Sequence, residues 1–206
     1  MELSCIILAG GKSKRLGRNK VAEIVGNKNL LERAVCCLSS FDSEIIIVKA
    51  QDSLLPEIPA FPKLKVVEDI YPGKGSLGGV YTGLKMSDSL LNLVVACDMP
   101  FFNIDLLRYL IKLANDFDVV LPQVNDEMLE PLHAVYSRNC IIHMEYLINH
   151  GILSFLELFP MVNVRYVKEA EIAKIDPEHL SFFNINTEHD LSLGKDLVSK
   201  KDSEYD

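Results

Sequence analysis

The sequence has little of what nucleic-acid-binding and membrane proteins need. Its 206 residues carry a net charge of −8, whereas proteins that bind nucleic-acid backbones present a broad basic surface. No apolar run approaches the roughly 18 residues of a membrane span, and Met1-Glu2 does not resemble a cationic signal region. These absences argue against nucleic acid and membranes as partners and predict a cytoplasmic protein.

Cysteine is present but without the pattern of a disulfide framework or a zinc site. The five cysteines are an odd number and show no paired metal-ligand spacing. Cys5 and Cys97 lie in apolar runs that are typical of buried strands, so we expect them to pack as small hydrophobic side chains. This usage is typical of a protein from a reducing compartment.

Hydrophobic residues make up 49% of the chain, which is enough for a sizeable core. We expect residues 1–194 to form a single domain and residues 195–206 to be a polar, frayed C-terminal tail. Short apolar runs alternate with amphipathic helical stripes, which predicts a doubly wound, mainly parallel α/β sheet. The predicted strands are 3–8, 45–48, 64–67, 91–96 and 119–121, and the stripes are 30–38 and 106–114. Segments 133–136 and 162–167 could add strands, one of them antiparallel, and 168–177 is expected to be irregular.

The loop after the first predicted strand concentrates glycine and positive charge. Gly10 and Gly11 allow backbone N–H groups to approach a phosphate closely, because no Cβ is in the way. Five of the next nine residues are basic, although the chain as a whole is acidic: Lys12, Lys14, Arg15, Arg18 and Lys20. The loop therefore predicts an anion-binding site at the end of this strand.

Two familiar phosphate-binding patterns do not fit this loop. A P-loop needs a glycine five positions before Gly11, where Ile6 stands instead. A dinucleotide fingerprint needs Gly-x-Gly-x-x-Gly and an acidic residue after the second strand, and neither is present. Taken alone, a glycine pair followed by charges favours an ordinary surface turn with solvated lysines.

Further motifs, in order along the chain, give this loop a context. Leu8–Lys20 is followed by Glu68-Asp69 with the glycine-rich segment 73–80, then Ala96–Phe101, Pro131–Tyr136 and Asn184–Thr187. Together they resemble the nucleotidyltransferases that activate small phosphorylated molecules, and the Ala-Gly-Gly form looks most like the molybdenum cofactor guanylyltransferases. The resemblance extends from Leu3 to about Leu191. It implies a Rossmann-like three-layer nucleotidyltransferase fold, with helices on both faces of a mainly parallel, twisted sheet.

Three of the motifs follow predicted strands directly, and open α/β sheets bind ligands beyond those strand ends. Gly10-Gly11 follows the first strand, Asp69 the third and Asp98 the fourth. Magnesium is commonly held by one or two carboxylates together with substrate phosphates, which suits Asp98 at the mouth of a buried strand. The alternative for Asp98, a turn residue before Pro100, is common in isolation.

The resemblance implies specific roles for these residues. Arg15, Lys20 and Asp98 are the implied catalytic residues, with Mg²⁺ as the cofactor held by Asp98. The implied GTP-binding residues are Leu8, Ala9, Gly10, Gly11, Lys20, Asp69, Gly75 and Asp98. Cytidylyl relatives usually have Ala-Ala-Gly at this loop, so Gly10-Gly11 favours GTP. For Asp69, a role as a turn residue before Pro72-Gly73 competes with guanine-nucleotide binding.

The acceptor implied by the resemblance is the terminal phosphate of molybdopterin, which is largely dianionic at neutral pH and needs no general base. Glu130, His133, Asn184 and Asn186 are candidate molybdopterin-binding residues. The two asparagines could equally cap the helix that begins near Thr187. A lone histidine is more often a packing residue than a ligand.

The predicted function is thus Mg²⁺-dependent transfer of GMP from GTP to molybdopterin, which forms a dinucleotide cofactor and pyrophosphate. Recipient molybdoenzymes or cofactor-insertion proteins are possible further partners. One alternative is a nucleotidyltransferase that uses CTP or a sugar phosphate. Another is a non-catalytic cofactor-binding protein, which the presence of Arg15, Lys20 and Asp98 argues against.

Overall fold

The computed structural model describes residues 3–10, 20–58, 60–125 and 128–203, with the backbone alone for 200–203. Its strands are β1 (Leu3–Leu8), β2 (Ile24–Val25), β3 (Lys28–Asn29), β4 (Glu44–Lys49), β5 (Leu64–Glu68), β6 (Leu91–Ala96), β7 (Val119–Gln123), β8 (His133–Ser137) and β9 (Val164–Lys168). Its α-helices are α1 (Leu30–Leu38), α2 (Gly75–Met86), α3 (Ile104–Leu113), α4 (Cys140–Asn149), α5 (Phe155–Leu158), α6 (Glu169–Ile172) and α7 (Glu188–Ser203).

Within these ranges, seven strands form one sheet in the order β5-β4-β1-β6-β8-β7-β9. The strands from β5 to β6 are parallel, β8 runs antiparallel to both of its neighbours, and β9 is parallel to β7. The prediction of a mainly parallel sheet is confirmed, and the antiparallel strand is the predicted segment 133–136. Because β6 is central, all six of its residues are buried.

Helices cover both faces of the sheet, as a three-layer fold requires. The stripes predicted at 30–38 and 106–114 belong to α1 and α3, which bury their apolar residues in the core of one face. Helices α2, α4 and α5 pack in a second core on the opposite face. Side chains of β1 alternate between the two cores, with Ile7 in the first and Ile6 in the second.

Glycines line the contact between helix α2 and β1. A Cβ on Gly83 would come within 2.5 Å of Ile6 Cγ2, and one on Gly79 within 3.3 Å of Leu8 Cδ2. Larger residues at these two positions would therefore clash with the strand or push the helix away. This packing sets the first turn of α2 beside the carboxyl end of β1.

The C-terminal segment returns to the same edge of the sheet. Ile185 and Leu191 form a small third core with Val25 and Leu30. Helix α7 then continues across residue 194 to Ser203, so the polar segment predicted from residue 195 begins inside a helix. The division at residue 194 stays a prediction. The expectation that 168–177 is irregular is wrong in part, since it contains the end of β9 and the short helix α6.

In the part of the chain that the structure describes, no helix combines the length and the apolar character that a membrane crossing requires.

Candidate active site

Asp98 stands where β6 ends, at the carboxyl edge of the parallel strands. Its backbone carbonyl accepts a hydrogen bond from Ile185 N–H at 2.9 Å, and its side chain is 26% exposed. The neighbouring Cys97 is buried in the core below α3, as strand alternation predicts. Burial, and to a lesser degree the Asp98 charge, raise the pKa of the Cys97 thiol well above its usual range. Cys97 is therefore a core residue and no nucleophile.

Lys20 reaches Asp98 from a short 3₁₀ turn, Lys20–Ala22. Its Nζ lies 2.7 Å from Asp98 Oδ2 and 2.8 Å from Asn186 Oδ1. The lysine side chain is 14% exposed, so this ion pair is only partly screened by water. The structure thus brings together three of the residues that the sequence singled out.

Glu130 lies in the turn before β8, and this turn is tied to the end of β6 by a hydrogen bond from Ala96 N–H to Leu132 O. Partial burial and, to a lesser degree, the Asp98 charge raise the pKa of the Glu130 carboxyl to about 7. The charge of Asp98 thus acts on Glu130, whose part in molybdopterin binding stays a prediction.

The described residues contain no cluster of three or more acidic, histidine or cysteine side chains that could hold a metal by themselves. Asp98 nevertheless fits a magnesium site completed by substrate phosphates. Its Oδ1 is buried and has no hydrogen-bond partner among the described residues, while Oδ2 accepts from Lys20. A buried carboxylate oxygen of this kind is a suitable ligand for a hard cation.

His133 does not line the opening, and this part of the sequence prediction is wrong. The side chain is fully buried on β8, with its ring 5.4 Å from that of Phe182 and 6.4 Å from that of Phe102. Neither ring nitrogen has a hydrogen-bond partner among the described residues. His133 is a packing residue, the more common role of a lone histidine.

This burial predicts a pH dependence of stability. Burial lowers the pKa of His133 to about 4, against the weaker opposing effect of Asp176, whereas an unfolded histidine titrates near 6.5. Its contribution to stability is thus fully present above pH 6.5 and is lost as the pH falls towards 4. The raised pKa of Glu130 has the opposite effect, because it makes the protein more stable as the pH falls. The contribution of His133 to the pH dependence of stability therefore has to be isolated with a variant.

We expect His133→Leu to flatten the acid side of the stability profile. Relative to this variant, wild type should lose roughly 2 kcal/mol of unfolding free energy between pH 7 and pH 5. Urea unfolding of both proteins at the two pH values measures this difference. Equal losses in both proteins would show that His133 does not titrate with a depressed pKa.

The predicted nucleotide-binding segments meet at the neighbouring part of the same edge. Leu8 and Ala9 are buried, and Gly10 is exposed. The Cα of Gly10 lies close to the residue that follows β4, so that a Cβ on Gly10 would be 3.2 Å from Ala50 N. Gly75 begins α2 with a φ of +66°, and a Cβ there would meet nothing within 4 Å. Both glycines are exposed, but only Gly75 has open space where a Cβ would lie, since the backbone of Ala50 fills that space at Gly10.

Asp69 has a structural role in the turn between β5 and α2. Its Oδ1 accepts hydrogen bonds from Tyr71 N–H at 3.0 Å and from Thr82 Oγ1 at 2.9 Å. This is the turn-residue alternative considered for the sequence. Thr82, which sequence reasoning missed, links the turn to α2. The role of Asp69 in nucleotide binding stays a prediction.

Other predicted site residues are elsewhere or outside the described ranges. Gly11 and Arg15 both lie in the segment 11–19, outside the described residues, so their predicted roles stay predictions. Asn184 is half-buried and its Nδ2 donates to Phe182 O at 3.3 Å. Its predicted part in molybdopterin binding is untested.

Lys20, Asp98 and the exposed glycine backbone lie at one edge of the sheet. Together they can bind and neutralise polyphosphate groups. With this sheet and these contacts, the protein falls in the class of α/β nucleotidyltransferases. Residues 5–165 match the MobA-like NTP transferase domain, which covers more than half of the chain. The chain belongs to the MobA-like NTP transferase family.

Individual relatives agree with this assignment. A probable molybdenum cofactor guanylyltransferase from Pelotomaculum thermopropionicum is 34% identical over 93% of this chain and 91% of its own length. Another, from Methanosarcina acetivorans, is 37% identical over 91% of this chain and 88% of its own.

Solved structures agree as well. The molybdopterin-guanine dinucleotide biosynthesis protein A of Archaeoglobus fulgidus superposes with a TM-score of 0.80 at 26% identity, covering 96% of this chain and 99% of the other. The 2-C-methyl-D-erythritol 4-phosphate cytidylyltransferase of Thermus thermophilus shares the fold, with a TM-score of 0.70 at 18% identity over 96% of this chain and 98% of the other.

Proposed function

We propose that this protein transfers the GMP moiety of GTP to the terminal phosphate of molybdopterin. An oxygen of the acceptor phosphate attacks the α-phosphorus of GTP, the bond from that phosphorus to the bridging oxygen breaks, and pyrophosphate leaves. The observation that carries the proposal is the contact of Lys20 with Asp98 at the carboxyl edge of the sheet. Relatives named as molybdenum cofactor guanylyltransferases align over more than nine-tenths of the chain and supply the substrate class.

The acceptor is already a strong nucleophile, because a phosphate monoester loses its second proton near pH 6. The protein's task is then to position two anionic substrates and to neutralise the charge that develops on the phosphoryl oxygens. Lys20 supplies a positive charge at this edge, and Arg15 would supply a second. Because the reaction requires no general base, the burial of Cys97 and His133 is compatible with this function.

Asp98 and the phosphates would hold Mg²⁺, with Asp98 Oδ1 as the available protein ligand. When bound, the ion would neutralise phosphate charge and help to orient the polyphosphate. Lys20, which is paired with Asp98, would also direct part of its charge towards the incoming phosphates.

The exposed backbone at Gly10 and Gly75 supports nucleotide binding at this edge. Gly75 has open space where a Cβ would lie, so main-chain N–H and C=O groups there can bind the edge of a base. The relatives named as guanylyltransferases support GTP as that nucleotide. Glu130 and Asn184 would contact the molybdopterin. Transfer of the finished dinucleotide to molybdoenzymes or cofactor-insertion proteins is a further part of the proposal.

Nucleotide titrations test the base preference separately from catalysis. Calorimetry of the purified chain with GTP and with CTP, each with Mg²⁺ and with EDTA, should give tighter binding of GTP that weakens when the metal is removed. Tighter binding of CTP would contradict the assignment of the glycine segments to guanine. Equal binding of GTP with and without the metal would contradict the role given to Asp98.

A further inference from the structure

We propose that Asn186 is a positioning residue for Lys20, and that it acts on the nucleotide only through this lysine. The proposal rests on the proposed function, in which Lys20 neutralises nucleotide phosphates. It replaces the expectation from the sequence that Asn186 binds the pterin.

The first support is the hydrogen bonding of the ammonium group. A lysine ammonium has three donors. One is directed at Asp98 Oδ2 and a second at Asn186 Oδ1, at 2.7 Å and 2.8 Å. Two acceptors on different segments fix the direction of the third donor, which a single ion pair would leave free to rotate.

The second support is how firmly Asn186 itself is held. Immediately before it, the buried Ile185 donates its N–H to Asp98 O at 2.9 Å. The backbone N–H groups of Asn186 and Thr187 both donate to Asp190 Oδ2, at 2.9 Å and 2.8 Å. The hydrogen bond from Asn186, with those from Thr187, lowers the pKa of the Asp190 carboxyl. The segment is thus fixed to the catalytic aspartate on one side and to the start of α7 on the other.

The third support is charge. Asn186 accepts a hydrogen bond from Lys20 without carrying a negative charge of its own. A carboxylate here would place a second anion beside Asp98 and hold the lysine away from the phosphates. A neutral amide orients the ammonium and leaves its charge available to the nucleotide.

Asn163 offers a control outside the site. It is exposed just before β9, and its Nδ2 donates to Asp116 O at 3.0 Å. Removing the Asn163 side chain should therefore leave Lys20 and the binding of both substrates unchanged.

The test is a double-mutant cycle on the full chain, using Lys20→Ala, Asn186→Ala and the double variant, with Asn163→Ala as control. For each protein, calorimetry gives the affinity for GTP with Mg²⁺, and label transfer gives kcat and the KM for both substrates. Thermal unfolding confirms that each variant is folded.

We expect Asn186→Ala to weaken GTP binding and to lower kcat/KM for GTP about tenfold. A change of this size corresponds to the loss of one charge-assisted hydrogen bond. The KM for molybdopterin should stay unchanged. In the Lys20→Ala background the same substitution should have no further effect, because the residue through which it acts is gone.

Two results would overturn the proposal. One is an equal loss from Asn186→Ala with and without Lys20. The other is a rise in the KM for molybdopterin alone, which would return Asn186 to the pterin site. Failure of the proposed function would look different, since wild type itself would then bind or transfer CTP in place of GTP, and the cycle would be measured with that nucleotide.

Discussion

Asp98→Asn should lower kcat/KM for nucleotidyl transfer by at least about 1,000-fold without unfolding the protein. The substitution keeps the size of the side chain and an oxygen for Lys20 but removes the negative charge that a divalent cation needs. Folding should be preserved, because the backbone hydrogen bond between Asp98 O and Ile185 N–H is unaffected. Steady-state transfer assays at saturating Mg²⁺ measure the effect.

Asp105→Asn is the matched control for this experiment. Asp105 lies in the first turn of α3, and its side chain is 78% exposed. The same chemical change at this surface position should leave transfer within twofold of wild type. Near-normal activity of Asp98→Asn would contradict the assignment of Asp98 to the metal and phosphates.

Lys20→Ala should lower kcat/KM for GTP about 100-fold and weaken GTP binding as well. It removes the positive charge paired with Asp98, so this carboxylate is no longer neutralised beside the incoming polyphosphate. Lys20→Arg should recover part of the loss, since it restores the charge with a different geometry.

Lys63→Ala controls for the loss of a lysine in general. Its Nζ pairs with Asp42 at 2.8 Å on the surface, with the lysine side chain 49% exposed, and such pairs contribute little to stability. Its kinetics should match wild type. If Lys20→Ala also retained wild-type kinetics, Lys20 would have no part in the reaction.

Much of the fold could be predicted because strand and helix periodicity differ. The runs 3–8 and 91–96 are buried on both faces and became β1 and β6 with the predicted bounds. Helix α2 was harder, since Gly78, Gly79 and Gly83 lower its intrinsic helix propensity. Packing of these glycines against β1 stabilises the helix, and that contact is invisible in the local sequence.

The contacts within the candidate site could not be predicted from the sequence. Lys20 and Asn186 are 166 positions apart, and the fold alone brings them together. His133 was assigned wrongly because β8 is buried on both faces, so alternation does not separate a core position from a ligand-facing one. For Asn186 the sequence left pterin binding and helix capping open, and nothing in the local sequence points to its contact with Lys20.

Transfer of label to molybdopterin is the most direct test of the central claim. Purified protein, Mg²⁺ and molybdopterin would be incubated in parallel with GTP and with CTP, each labelled at the α-phosphate, and the dinucleotide product separated and counted. The account predicts label in the product from GTP, none above background from CTP, and release of one pyrophosphate for each nucleotide transferred. Label transfer from CTP alone, or from neither nucleotide, would contradict it.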